Sequence, residues 1–238
     1  SMDVDKGGNA WVGTVLDGFY VIDMHNFSVN SIIDIPLLSG KTIRNGIHSI
    51  YCDKENNAVW IGLFNQGVCY YHPSMNKLTL CNKKLLRGAW GGEEIRCMLE
   101  TFGGDILMGT AQGLYRYDPK SHSMDILYKE FNQKNCRVLY EDSKKRIWVG
   151  TYHDGLYCIE AGKVRAYAYP DTDYQNELDF SNIRVMVEDS SGRLWVSIYG
   201  GVGLFNPENG QINLLSEQFP ELKKYKVANA LAIDNQSR

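Results

Sequence analysis

The stretch RIWVGTYHDGLYCI, residues 146 to 159, reads as two short β-rich runs joined at Gly155, with Trp148 near the start of the first. Close variants occur four more times: AWVGTVLDGFYVID from residue 10, AVWIGLFNQGVCYY from 58, DILMGTAQGLYRYD from 105 and RLWVSIYGGVGLFN from 193. Aligned on Trp11, Trp60, Leu107, Trp148 and Trp195, the copies are spaced by 49, 47, 41 and 47 residues. Two further marks keep step with the anchor. An acidic or polar residue precedes it by six or seven positions (Asp5, Asp53, Thr101, Asp142, Asp189), and a glycine follows by six to eight (Gly18, Gly67, Gly113, Gly155, Gly203).

A period of this length belongs to β-propeller blades. Each unit reads as four strands; in the last these are IRVMVED, RLWVSIY, GLFNPE and QINLLS, separated by turn formers such as DSSGR and NPENG. Helical periodicity is lacking over any dozen residues, so the expected fold is all-β. The expectation is a β-propeller of about five four-stranded blades, either a closed five-bladed ring or a fragment of a larger propeller. Residues 1–238 are read as one domain with approximate blades at 1–40, 41–88, 89–131, 132–177 and 178–224. Residues 1–40 are expected to supply strands two, three and four, with a C-terminal strand near Leu231, in 225–238, completing that blade if the ring closes. The Ser1-Met2 start, followed at once by repeat sequence, suggests a piece cut from a longer protein.

Composition narrows the function classes. A net charge of −3, from 25 basic and 28 acidic residues, gives no bulk reason to expect nucleic acid or an acidic membrane. No apolar run approaches the roughly 18 residues of a membrane span, so direct membrane insertion is not expected. The six cysteines form no CxxC pair and show no spacing suited to zinc; most lie in apolar runs, where a thiol acts as a small hydrophobe. No cofactor or metal is expected. A phosphate-cradling glycine loop is also lacking.

The repeats resemble those of two-component regulator propellers, found in the periplasmic sensor regions of hybrid histidine kinases of gut Bacteroides-type bacteria. IWVGTYHDGLYCI, ILMGTAQGLYRYDP, VWIGLFNQGVCYYHP and LWVSIYGGVGLFNP carry the resemblance, with VLYEDSKKR and VMVEDSSGR ahead of two of them. Leu107 in place of tryptophan and Ser197 in place of glycine depart from the pattern. The resemblance implies an extracytoplasmic, periplasmic piece of a larger sensor, one that recognises oligosaccharides and relays the signal to a kinase. On that reading the chain is a binding and structural module rather than a catalyst. Its partners would be an oligosaccharide and either its own copies or neighbouring sensor domains.

Candidate site residues come from the repeat itself. Five positions before the acidic mark lie His48, Arg96, Arg137, Arg184 and Asn229, all polar, at the start of the innermost strand. Guanidinium groups there would offer planar donors to a carboxylate, sulfate or hydroxyl array, which would suit an acidic sugar; equally, they could seal a polar channel. Counting on by twos gives Met98, Leu139 and Met186, then Glu100, Glu141 and Glu188, a face running from basic through apolar to acidic. The loops between strands two and three should open beside those strand starts, presenting Leu16 and Asp17, Phe64 and Asn65, Ala111 and Gln112, Tyr152 with His153 and Asp154, and Ile198 with Tyr199. Aromatic faces beside acids and amides suit a pyranose. Two alternatives remain: a protein-interaction propeller, and a five-bladed glycoside hydrolase using Asp17 and Asp154. The second is weakened because those acids fall at matching repeat positions, where a turn role accounts for them.

Overall fold

The computed structural model describes residues 1–32, 35–36, 42–43, 46–64, 67–72, 77–81, 94–118, 123–167 and 178–234. Contacts divide the chain into two compact units, Ser1–Asn132 and Gln133–Arg238. The first holds three four-stranded antiparallel sheets. They are β1 (Met2–Val4), β2 (Asn9–Gly13), β3 (Phe19–Asp23) and β4 (Val29–Ile32); then β7 (Ile47–Asp53), β8 (Ala58–Leu63), β9 (Gly67–His72) and β10 (Lys77–Cys81); then β11 (Ile95–Glu100), β12 (Ile106–Thr110), β13 (Leu114–Asp118) and β14 (Ser123–Ile126). A small pair, β5 (Ile35–Pro36) and β6 (Thr42–Ile43), lies between the first two. The second unit holds two more: β15 (Cys136–Glu141), β16 (Ile147–Thr151), β17 (Leu156–Glu160) and β18 (Lys163–Tyr167); then β19 (Asp179–Glu188), β20 (Leu194–Tyr199), β21 (Gly201–Phe205) and β22 (Ile212–Leu214). Each sheet is an up-and-down meander in chain order, the form of a propeller blade.

The sequence marks have direct physical roles. Where the anchor is tryptophan and the acid stands six residues earlier, the indole Nε1–H donates to that carboxylate: Trp11 to Asp5 at 2.8 Å, Trp148 to Asp142 at 2.8 Å and Trp195 to Asp189 at 2.9 Å. The same carboxylates close the turn between strands one and two, Asp142 accepting from the backbone N–H groups of Lys144 and Arg146. In the second blade the turn is one residue longer; Asp53 bonds Asn56 instead, and Trp60 Nε1–H is buried without an acceptor among the described residues. In the third blade the anchor is Leu107, with no N–H to satisfy. There the acid is replaced by Thr101, whose Oγ1 accepts from Asp105 N–H.

Within each unit the anchor face of one blade packs on the first strand of the next. Trp148, Ile183 and Met186 share one buried cluster, and Trp11, Ile47 and Ile50 share another. The glycine two positions after the anchor is required by this seam. A Cβ on Gly13 would stand 2.5 Å from Ile47, on Gly62 2.9 Å from Ile95, and on Gly150 2.6 Å from Ile183. Ser197 occupies the equivalent place in the last blade, where it faces a smaller neighbour and its Oγ donates to the Ala228 carbonyl at 2.8 Å. Gly150→Ala should therefore destabilise by about 2 kcal/mol through overpacking, measured as a lower midpoint in urea; an unchanged midpoint would mean that the seam yields freely.

Two expectations need correcting. The first blade takes its innermost strand from Met2–Val4, paired with β2, and the described residues 225–234 form no strand. Polar side chains hold this three-residue strand: Asp3 Oδ2 accepts from Cys52 N–H at 2.8 Å and Ser1 Oγ from Ile50 N–H at 2.9 Å. The second correction concerns the inner strands. Their ladders skip one residue between Ile47 and Ser49, Ile95 and Cys97, Cys136 and Val138, and Ile183 and Val185. The skipped residues are His48, Arg96, Arg137 and Arg184. Each sits on a β-bulge, so counting by twos past it changes face: Leu139 and Glu141 share the ladder face of Cys136, not a face defined by Arg137.

Cys52, Cys69, Cys136 and Cys158 are buried and Cys97 is half-buried. Burial pushes the Cys136 thiol up to about 12 and that of Cys158 up to about 11, which suits small apolar packing groups rather than nucleophiles.

Candidate functional site

A recurring backbone bond brings the loop between strands two and three against the entrance of strand one. Phe64 N–H donates to Gly46 O at 2.9 Å, Ala111 N–H to Glu94 O at 3.3 Å and Tyr152 N–H to Asn135 O at 3.0 Å. A threonine closes the same loop in three blades. Thr151 Oγ1 donates to Gly155 O at 2.8 Å and accepts from Asp154 N–H at 2.9 Å, and Thr14 and Thr110 act alike on Gly18 and Gly113. The residue after that threonine position, four past the anchor, is thus held beside the bulge.

In the first unit this joins three of the expected residues. The His48 ring stacks on Phe64 with centroids 5.2 Å apart and planes 25° apart. Glu94 bridges the pair to the next blade: its Oε1 lies 2.6 Å from His48 Nε2, and its Oε2 accepts from Arg96 Nη2 at 2.9 Å. Glu94 is buried while Phe64 is 43% exposed, so the cluster presents an aromatic face above a fixed carboxylate–guanidinium pair. Asn65 lies outside the described residues.

The second unit repeats the plan with different partners. The Arg137 guanidinium lies 5.4 Å from the centre of the Tyr152 ring, and its Nη1 donates to Asn182 Oδ1 at 3.5 Å. Tyr152 meets His153 edge-on at 4.0 Å, and His153 Nδ1 lies 3.8 Å from Asp179 Oδ2. Asp179 is oriented by Ser181, whose backbone N–H and Oγ both donate to Oδ1. Asp154 turns to Lys134 Nζ at 2.6 Å, away from the acid–base role that its adjacency to His153 invites. Arg184 Nη2 donates to Asn229 Oδ1 at 3.1 Å, and Tyr199, 39% exposed, ends β20 opposite Asp179. The unit also has an outer groove of about 670 Å³ near Arg165, Tyr167 and Asn209, but its polar groups engage one another: Arg165 stacks on Tyr167, and Tyr167 Oη–H donates to Pro207 O.

Glu94, Asn182 and Asp179 are absent from the sequence-derived set. Glu94, Asn135 and Asn182 all stand two residues before the bulge, so a polar preference at that offset was the available signal. Two of the glutamates at the far end of the inner strands meet the preceding blade. Glu100 pairs with Tyr51 of the preceding blade, and Glu188 accepts from Ser143 N–H and Oγ–H at 2.7 Å each, so these two stitch blade to blade.

No group of three or more metal-ligating side chains occurs among the described residues, and no helix there is long and apolar enough to cross a membrane. No curated protein matches the chain in sequence. Two crystal structures of extracellular domains from B. thetaiotaomicron are similar in fold. One, a putative hybrid two component system, has a TM-score of 0.56 at 15% identity over 90% of this chain and 40% of its own. The other, a putative one component system, has a TM-score of 0.51 at 20% identity over 90% and 34%. A catalytically inactive virginiamycin B lyase from Staphylococcus aureus, solved with quinupristin, reaches 0.61 at 12% identity over 89% and 67%. The chain thus spans well under half the length of the two extracellular domains. Residues 130–153, from the end of the third blade through Trp148 to His153, match the family model described as two component regulator propeller. The fold is therefore an all-β propeller type built from four-stranded blades, and residues 130–153 are similar to the two component regulator propeller repeat.

Proposed function

We propose that the chain is a non-catalytic part of the extracytoplasmic sensor region of a two-component regulator, and that it contacts an oligosaccharide at the strand-one entrances. One observation carries this reading. In both units the bulge residue and the aromatic four positions past the anchor are in physical contact, His48 with Phe64 and Arg137 with Tyr152. An aromatic face with a fixed cation and acid beside it matches the amphipathic surface of a pyranose. Asp154, one of the two acids a glycosidase reading would use, is paired with Lys134, which supports the non-catalytic reading. Relay to a kinase requires that the ligand bind two states of the sensor unequally.

The test is calorimetric titration with a panel of neutral and uronic-acid-containing oligosaccharides. Phe64→Ala and Tyr152→Ala should each weaken binding at least tenfold while leaving the melting temperature within about 2 °C. Absence of binding across the panel, by the chain and by a longer protein that contains it, would end the saccharide reading. Val15 and Leu16, 76% and 79% exposed on the corresponding loop of the first blade, favour a protein partner instead, and a saturable protein complex without any sugar response would support that alternative.

A further inference from the structure

Arg184, like Arg137 with Asn182, is held by an uncharged amide and not by a carboxylate. His48 and Arg96 both meet the Glu94 carboxylate, whereas Arg184 Nη2 donates to the uncharged Asn229 side chain. The Arg184 Nε–H, like that of Arg96, is buried with no acceptor among the described residues, but at Arg184 no carboxylate holds the Nη2 beside it, so that side of its donor fork is only half used. Asn229 belongs to the extended segment 226–234, which forms no strand and is tied to the last blade through Gly200 N–H to Lys226 O at 2.7 Å and Ser197 Oγ–H to Ala228 O at 2.8 Å.

We infer that Arg184 anchors a carboxylate-binding site that the 226–234 segment closes, and that an incoming uronate carboxylate displaces Asn229 and loosens this segment. A carboxylate can accept from Nη2 and Nε together, replacing one neutral hydrogen bond by two charge-assisted ones and giving the orphaned N–H a partner. Tyr199 is placed to cover the sugar ring: it follows Ile198, which pairs in the ladder with Ile183, the residue before Arg184. Linkage makes the effect reciprocal, so whatever secures the segment weakens the carboxylate and whatever frees it strengthens the carboxylate. The site rests on the saccharide reading only in taking the carboxylate to be part of a sugar.

The experiment titrates the intact chain with sodium glucuronate, sodium acetate and glucose at constant ionic strength, following affinity by calorimetry and amide hydrogen exchange over 226–234. Glucuronate should speed exchange in that segment several-fold, and glucose should not. Asn229→Ala should tighten glucuronate about tenfold, the loss of one neutral competing bond. Asn229→Asp should raise the melting temperature and abolish the glucuronate response, and Arg184→Ala should abolish the response while exchange in the segment is already fast. Glucuronate that leaves exchange over 226–234 unchanged, or binds Asn229→Ala no more tightly than the parent, overturns the proposal even if other saccharides bind elsewhere. If acetate matches glucuronate while the oligosaccharide panel fails, the carboxylate site stands and the saccharide reading falls.

Discussion

Trp148→Ala should unfold the second unit more readily than any other single truncation, by about 4 kcal/mol, because it empties the middle of the only blade-to-blade core that unit has among its described residues. Trp148 is fully buried. Its ring lies 5.3 Å from Phe205 of the next blade, edge to face, and 5.9 Å from Tyr167. Truncation would also leave the Asp142 carboxylate, itself almost fully buried, without its indole donor. Chemical denaturation of the variant measures the loss, and a cost under about 1 kcal/mol would mean that the tryptophan is not the keystone of the seam. A paired comparison isolates the N–H. Trp148→Phe forfeits a hydrogen bond, whereas Trp60→Phe forfeits none, since Trp60 Nε1 has no acceptor among the described residues. The first should therefore cost about 1 kcal/mol more than the second.

Asp142→Ala is expected to cost about 3 kcal/mol, since one carboxylate serves an indole, a guanidinium and two backbone N–H groups, and all are left facing a methyl group. The same carboxylates set the acid limit of the fold. Burial opposes their ionisation, but hydrogen bonds outweigh it: the Trp195 indole with Arg193 holds Asp189 down to about 2, and the corresponding donors lower Asp142 and Asp5. A carboxyl with a depressed folded-state pKa adds stability that is fully present above its unfolded value near 3.9 and is lost as pH falls through the folded value. Stability should thus be level above about pH 5 and decline between about pH 4 and 2, and in Asp189→Asn that decline should be shallower. A pH titration of the urea midpoint checks this; equal slopes in parent and variant would remove Asp189 from the acid response.

The blades were readable because their marks are chemical pairs at fixed spacing. The third blade shows why even a missing mark was informative: Leu107 needs no acceptor, and Thr101 stands where the carboxylate would be. The bulges were not readable, since strict alternation and alternation with one extra residue differ only in partner register, and the partner strand cannot be lined up from sequence alone. That is why Met98, Leu139 and Met186 looked coplanar with the arginines. Glu94 and Asp179 were missed for a related reason. A fixed offset from the acid marks equivalent positions on the inner strands, whereas the side chains that meet His48 and His153 come from the start of the following blade. Met2–Val4 escaped because three residues show no period, and side-chain bonds from Asp3 and Ser1 hold the strand in place of an apolar stripe.

The extra residue on each inner strand also bears on how such a chain can diversify. A position that takes no part in ladder pairing can change without shifting the register of its sheet or the packing of the neighbouring seam. His48, Arg96, Arg137 and Arg184 occupy four such positions, one per bulged blade, each at the mouth of a loop that presents Phe64, Ala111, Tyr152 or Tyr199. The repeat thereby separates two kinds of position: tryptophan, acid and glycine build the blade, while the bulge residue stands outside ladder pairing and answers to its partner on the following segment, as His48 and Arg96 do to Glu94 and Arg184 to Asn229.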